Sequence, residues 1–157
     1  MKILVMSDSH RQNDRIDEIL NKHRDIDAYI HCGDLCVDPR LYPQLLVVAG
    51  NGDYYYSLPK ELQLTLGGHR IYVTHSHFFP YYQKSIYLAR KAKELHCDIV
   101  FYGHTHIPHF EEVEGITILN PGSLFYNRDR SQPSYAIVEL DDKINVQFHR
   151  FEEGKEW

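Results

Sequence analysis

Two histidines, His104 and His106, stand in alternate positions directly after the apolar run Ile99-Val100-Phe101. If that run is a buried strand, the chain leaves the sheet at Tyr102 and Gly103, where glycine permits a sharp turn. Both imidazoles are then presented at the carboxyl end of a strand, the edge at which open α/β sheets bind ligands. Other strand ends carry similar residues. Ile3 to Met6 runs into Ser7-Asp8-Ser9-His10, Ala28 to Ile30 into His31-Cys32-Gly33-Asp34, and Leu45 to Val48 into Ala49-Gly50-Asn51-Gly52-Asp53. Arg70 to Val73 ends at Thr74-His75-Ser76-His77. Asp8, His10, Asp34, Asn51, His75, His104 and His106 therefore form one candidate set of nitrogen and oxygen donors. The absence of thiolates points away from a structural zinc site. Such donors suit Mn²⁺, Fe²⁺, Zn²⁺ or Co²⁺, and an oxygen-rich octahedral site leans toward Mn²⁺.

The elements that must position this set are short. Ile16, Ile19, Leu20 and His23 fall at i, i+3, i+4 and i+7, which predicts an amphipathic helix over about 13 to 23, capped by Asn13 or Asp14. Leu62 to Leu66, Gly67-Gly68 and Arg70 to Val73 read as a hairpin with a glycine turn. Ser85 to Leu95 reads as a second helix, with Lys84, Arg90, Lys91 and Lys93 on a solvated face. Ile116 to Leu119 and Tyr135 to Leu140 read as strands, and Ile144, Val146 and Phe148 alternate as in a half-exposed antiparallel strand. A βαβ start followed by antiparallel hairpins predicts an α/β fold of two mixed sheets packed face to face, with helices outside.

Composition narrows the function classes. A chain of 157 residues with 43% hydrophobic residues is the size of one domain, taken here as 1–157. No apolar run approaches the ~18 residues of a membrane helix, and the first apolar segment is too short for a signal peptide. With Cys32, Cys36 and Cys97 in no disulfide spacing, the expected setting is a reducing cytoplasm and the thiols are expected to be buried or to stand behind the ligands. The net charge of −5 disfavours long nucleic acids and leaves a small substrate as the expected partner. The aromatic residues Tyr54, Tyr55, Tyr56, Tyr72, Phe78, Phe79, Tyr81 and Tyr82 are assigned first to packing, with an aromatic cleft or a homodimer interface as the other readings.

Asp8-Ser9-His10, Gly33-Asp34, Gly50-Asn51, His75 and Gly103-His104-Thr105-His106 occur in that order over residues 8 to 106. Together with Asn120-Pro121-Gly122-Ser123 they resemble the calcineurin-like metallophosphoesterases, especially the small bacterial and archaeal phosphodiesterases. The resemblance implies a four-layer α/β/β/α sandwich and a site for two divalent ions. Mn²⁺ is the leading choice, with Ni²⁺, Zn²⁺, Fe²⁺ or Co²⁺ as the others. Carried over, one ion would take Asp8, His10, Asp34 and His106, and the other Asp34, Asn51, His75 and His104. Asp34 bridges them at the ~3.5–4 Å separation of such pairs. Asp34, Asn51, His75 and His104 are assigned to catalysis, in which a metal-bridging hydroxide attacks a phosphate diester in line.

The sequence also departs from the family pattern. Many relatives have histidine or cysteine after the asparagine, where Gly52 stands here, so a proton donor worth typically ~10²–10⁴-fold is missing. Good leaving groups are therefore expected to be preferred, with His77, Tyr54 and His31 as possible substitutes. Ser76 replaces a usual glycine, which leaves His77 as a possible partner of His75. Asp53 is expected to orient a histidine ligand, and Arg128 or Arg130 to reach a substrate phosphate. The alternative function is a catalytically weak interaction scaffold of the same fold, similar to an endosomal coat subunit. It would be favoured by lost ligands, and none is lost. A hydrolase of carbon esters or lactams would need a His-x-His-x-Asp-His pattern that this chain lacks.

Overall fold

The computed structural model describes residues 1–151. In chain order the elements are β1 (Lys2–Met6), α1 (Asn13–Lys22), β2 (Ala28–His31), β3 (Leu45–Val47), β4 (Glu61–Leu66), β5 (His69–Thr74), α2 (Lys84–Glu94), β6 (Ile99–Tyr102), β7 (His109–Val113), β8 (Ile116–Asn120), β9 (Ser134–Leu140) and β10 (Ile144–Arg150). They form two five-stranded sheets, ordered β10-β9-β1-β2-β3 and β4-β5-β6-β8-β7. The parallel run β1-β2-β3 ends at one edge of the first sheet, with β9 and β10 antiparallel on its other side, while β5-β6-β8 is the parallel centre of the second, flanked by antiparallel β4 and β7.

Alternation along the central strands produces the layers. Ile3 and Val5 face the other sheet and meet Ile71, Val73, Ile99 and Phe101 in the inter-sheet core. Leu4 and Met6, on the opposite face of β1, pack with Ile16 and Ile19 of α1. On the far side, Leu88, Ala89 and Ala92 of α2 cover Tyr72, Val100, Tyr102 and Ile118. The order is α/β/β/α, as expected. Helices of ten and eleven residues are marginal alone, so these apolar faces, rather than helix propensity, hold them. No helix among the described residues is long and apolar enough to cross a membrane.

Three local expectations need correction, and one strand was not anticipated. The N-cap of α1 is Gln12, which makes no side-chain capping bond, so neither Asn13 nor Asp14 caps it. Tyr102 belongs to β6, and the sharp turn falls at His104, whose φ is +73°. Gly103 is needed for a different reason, since a Cβ there would lie 2.1 Å from Ser7 Oγ and 2.7 Å from Asp8 Oδ2. Lys84 is buried at the start of α2, not on its solvated face. Finally, β7 carries no alternation signal because it is an edge strand exposed along most of its length. The sign of that hairpin is Glu114-Gly115, both at positive φ, as a two-residue turn between Val113 and Ile116 requires.

Candidate metal centre

Because the parallel strands of both sheets deliver their carboxyl ends to one edge, the loops after β1, β2, β3, β5 and β6 meet there. The backbone at this edge is unusual. Asp8, His10, Asp34, His104 and His106 all have positive φ, between +42° and +73°. Such conformations are uncommon outside glycine and cluster at functional sites, where the surrounding structure holds them.

The seven expected donors converge in two groups. In the first, Asp8 Oδ1 lies 3.2 Å from His106 Nε2 and 3.8 Å from His10 Nε2, and the two imidazole nitrogens are 3.3 Å apart. In the second, Asn51 Oδ1 lies 3.0 Å from His75 Nε2 and 3.2 Å from His104 Nδ1. Asp34 Oδ2 stands between the groups, 3.5 Å from His10 Nε2 and 3.4 Å from His75 Nε2. Asp8 Oδ1 also lies 3.7 Å from His75 Nε2. It is buried yet accepts no well-formed hydrogen bond. A buried carboxylate oxygen without a donor is costly, and a cation among these atoms removes that cost.

Hydrogen bonds behind the set fix which ring nitrogens face inward. His75 Nδ1 donates to Cys32 O at 2.7 Å and His106 Nδ1 donates to Tyr126 O at 3.0 Å, so each ring turns its Nε2 toward the carboxylates. Asp8 Oδ2 accepts from Ser7 Oγ at 2.5 Å and from the His104 amide at 3.0 Å. Asp34 Oδ1 accepts from the Gly52 amide at 2.8 Å. Burial works to raise the Asp34 pKa, but His75, the Gly52 amide and His10 hold it well below the usual carboxylate range. For His75 burial works downward, while Asp34 and Asp8 prevail and raise it. Burial, then the His75 and Lys84 charges, lower His104 to about 4, leaving a neutral imidazole at physiological pH. The Cys36 thiol, 3.7 Å from His10 Nδ1, is pushed by burial up to about 12 and offers no thiolate.

Several neighbours take roles other than those expected. Asp53 orients no histidine. Its carboxylate accepts the amides of Asp34 (2.7 Å), Gly50 (2.8 Å) and Cys36 (2.8 Å), clamping the Asp34 loop to the Asn51 loop. Asp53→Asn would turn an NH₂ group toward amide donors, and is expected to lower unfolding free energy by about 2–3 kcal/mol in a urea titration. An unchanged midpoint would refute the clamp. His31 is buried, accepts from the Gly33 amide and shares a hydrogen bond with Ser9 Oγ, so it faces away from the cleft. His77 lies beside His75, with ring centroids 5.3 Å apart, but joins neither donor group. Ser76 adopts φ +79°, Lys84 Nζ donates to its carbonyl and hydroxyl oxygens, and its hydroxyl donates to Gly103 O, which ties the β5 and β6 loops together. Burial lowers Lys84 to about 8.

A cavity of about 230 Å³ opens over the donors, walled by Phe125, Tyr126 and Arg128 beside His10 and His104. Arg130 is exposed and does not line it. The aromatic residues expected in packing divide: Tyr72 is buried, whereas Tyr54, Tyr55, Phe78, Tyr81 and Tyr82 are exposed. Sequence reasoning named the string holding Asn120 and Ser123 but gave these two no role; Asn120 Nδ2 donates to Gly103 O and Thr105 Oγ1, and Ser123 Oγ donates to Asp8 O. Their signal is the turn string Asn120-Pro121-Gly122-Ser123.

Comparison with known proteins gives the same picture. The profile of the calcineurin-like phosphoesterase superfamily domain matches residues 1–143. The probable metallophosphoesterase YsnB of Bacillus subtilis (strain 168) is 37% identical over 154 residues, covering 95% of this chain and 90% of that protein. Phosphodiesterase MJ0936 of Methanocaldococcus jannaschii is 28% identical over 144 residues, covering 78% of this chain and 83% of that one. A crystal structure of a predicted phosphoesterase from Streptococcus pneumoniae TIGR4 superposes with a TM-score of 0.85 at 36% identity, covering 98% and 93% of the two chains. With its seven candidate donors gathered at one edge of this two-sheet sandwich, the chain belongs to the calcineurin-like phosphoesterase superfamily and is a metallophosphoesterase.

Proposed function

We propose that the chain is a phosphodiesterase working with two divalent ions, Mn²⁺ foremost, on small phosphate diesters. The observation that carries this reading is the position of Asp34 Oδ2 between the two donor groups, beside the orphaned Asp8 Oδ1. Asp8, His10, Asp34 and His106 would hold one ion, and Asp34, Asn51, His75 and His104 the other. Ions held there supply positive charge to a phosphate and bring the pKa of water toward neutrality. The chain's own part is to fix the donors, limit the carboxylates to two by using the neutral Asn51 oxygen, and lower the His10 and His104 pKa values by burial. Arg128, exposed at the cavity mouth, donates to Tyr81 OH and is placed to meet phosphoryl oxygens. The name of the archaeal relative, a phosphodiesterase, supports the diester preference. Turnover alone separates this reading from the scaffold reading, since Vps29 proteins share the fold and one of them is solved with Zn²⁺.

The test is hydrolysis of bis-p-nitrophenyl phosphate by chelator-stripped protein, with Mn²⁺, Ni²⁺, Zn²⁺ or Mg²⁺ restored one at a time. Turnover is expected only with a transition metal, and neither Asp8→Ala nor His104→Ala should show it. Because Gly52 leaves no imidazole beside Asn51, rates should fall steeply as the leaving-group pKa rises across a series of aryl esters. Flat dependence would mean that another residue protonates the leaving group. Metal-independent turnover would overturn the proposal.

A further inference from the structure

A second cavity, of about 280 Å³, adjoins the donor set and shares His10 with it. Its lining is His10, Arg11, Cys36, Gly52, Tyr54 and Tyr55. Tyr54 and Tyr55 are 75% and 74% exposed, with ring centroids only 4.2 Å apart, so together they present a broad aromatic face to solvent. Arg11, its Nε donating to Cys36 O at 3.3 Å, forms another wall. Gly52 keeps the floor low: a Cβ there would come within 3.0 Å of Cys36 Sγ and 3.2 Å of Asp34 Oδ1. The Phe125 ring, which walls the first cavity, stands 5.6 Å from that of His10, centroid to centroid. A phosphate at the donor set would therefore have an open, ring-faced recess beside it.

We infer that this recess seats the base of a nucleoside attached to the reacting phosphate, so that the preferred substrates are short nucleoside phosphodiesters. The inference rests on the phosphodiesterase reading above and names its substrate class. Tyrosine rings offer a π-face that any base can stack on, and a cationic guanidinium beside them suits a polar, anion-bearing ligand. The two adjoining cavities are of the order of small-ligand sites, at roughly 300–1,000 Å³. The net charge of −5 disfavours a long polyanion threading past the site.

The test compares thymidine 5′-monophosphate with methyl phosphate, which carries the same phosphate without the ring, by calorimetry on Mn²⁺-saturated protein. Stacking on an aromatic pair predicts that the nucleotide binds roughly 10-fold or more tightly than methyl phosphate. In Tyr54→Ala/Tyr55→Ala that ratio should fall to near one. A ratio near one in the parent protein, an advantage retained in the double variant, or no binding of either ligand overturns the inference. So does a parent dimer that the double variant dissolves while the ratio stays the same, since the tyrosines would then be an interface between copies. Turnover of bis-p-nitrophenyl phosphate is scored separately. Its absence refutes the enzymatic reading, whereas the binding ratio alone decides the fate of the recess.

Discussion

Asp34→Asn is expected to lower turnover of a phosphate diester by about 10³-fold while the metal-free protein stays folded, with a melting temperature within about 5 °C of the parent. The substitution changes little in shape. An asparagine oxygen can still accept the Gly52 amide, as Asp34 Oδ1 does at 2.8 Å. It removes the charge on the Asp34 oxygen that lies between the donor groups, 3.5 Å from His10 Nε2 and 3.4 Å from His75 Nε2. In place of that oxygen stands an NH₂ group, which cannot ligate a cation. Both ion sites should weaken together, because both share this residue. Parallel measurements of kcat/KM, of Mn²⁺ affinity and of the melting curve in chelator check the three parts. Near-parental turnover would remove Asp34 from the centre of the account.

The largest expected effect on stability comes from Gly50→Ala. An added Cβ would lie 2.1 Å from Asp34 Oδ1 and 2.4 Å from Asp34 N. Neither atom can retreat easily. The Asp34 amide is held by Asp53 Oδ2 at 2.7 Å, and the same oxygen accepts the Gly50 amide at 2.8 Å. The loops after β2 and β3 must part, so a loss of about 3–5 kcal/mol is expected, at the upper end of overpacking effects. Gly52→Ala is the control. Neither glycine has positive φ, and the nearest atom to a Cβ at Gly52 is the Cys36 sulfur at 3.0 Å, so it should cost far less. Urea unfolding of both variants decides the matter. Equal losses would mean that backbone freedom, rather than close approach, explains both residues.

Much of the donor set was legible because ligand-type residues recur immediately after short apolar runs. Runs buried on both faces, such as Ile3 to Met6 and Ile99 to Phe101, mark the parallel strands whose ends must gather. The hairpin turned by Gly67-Gly68 was legible for a related reason, since both glycines sit at positive φ between Leu66 and His69. Legibility failed where a side chain's role depends on a partner distant in sequence. Lys84 reads as one more surface charge of a basic helix, and only the return of the β5 loop places Ser76 over its ammonium group. Asp53 reads as a neighbour of the histidines, yet its three partners are backbone amides from two loops. The exposed tyrosines read as packing residues because their rings are large and apolar, whereas Tyr54 and Tyr55 follow the Asn51 loop after β3 and stay at the rim of the edge that loop forms.

The most direct test of the two-ion account is a calorimetric titration of chelator-stripped protein with Mn²⁺, followed in parallel by hydrolysis of bis-p-nitrophenyl phosphate. Two ions per chain are expected, with turnover appearing only as the second site fills. Full turnover at one ion per chain, or in the presence of chelator, would contradict it.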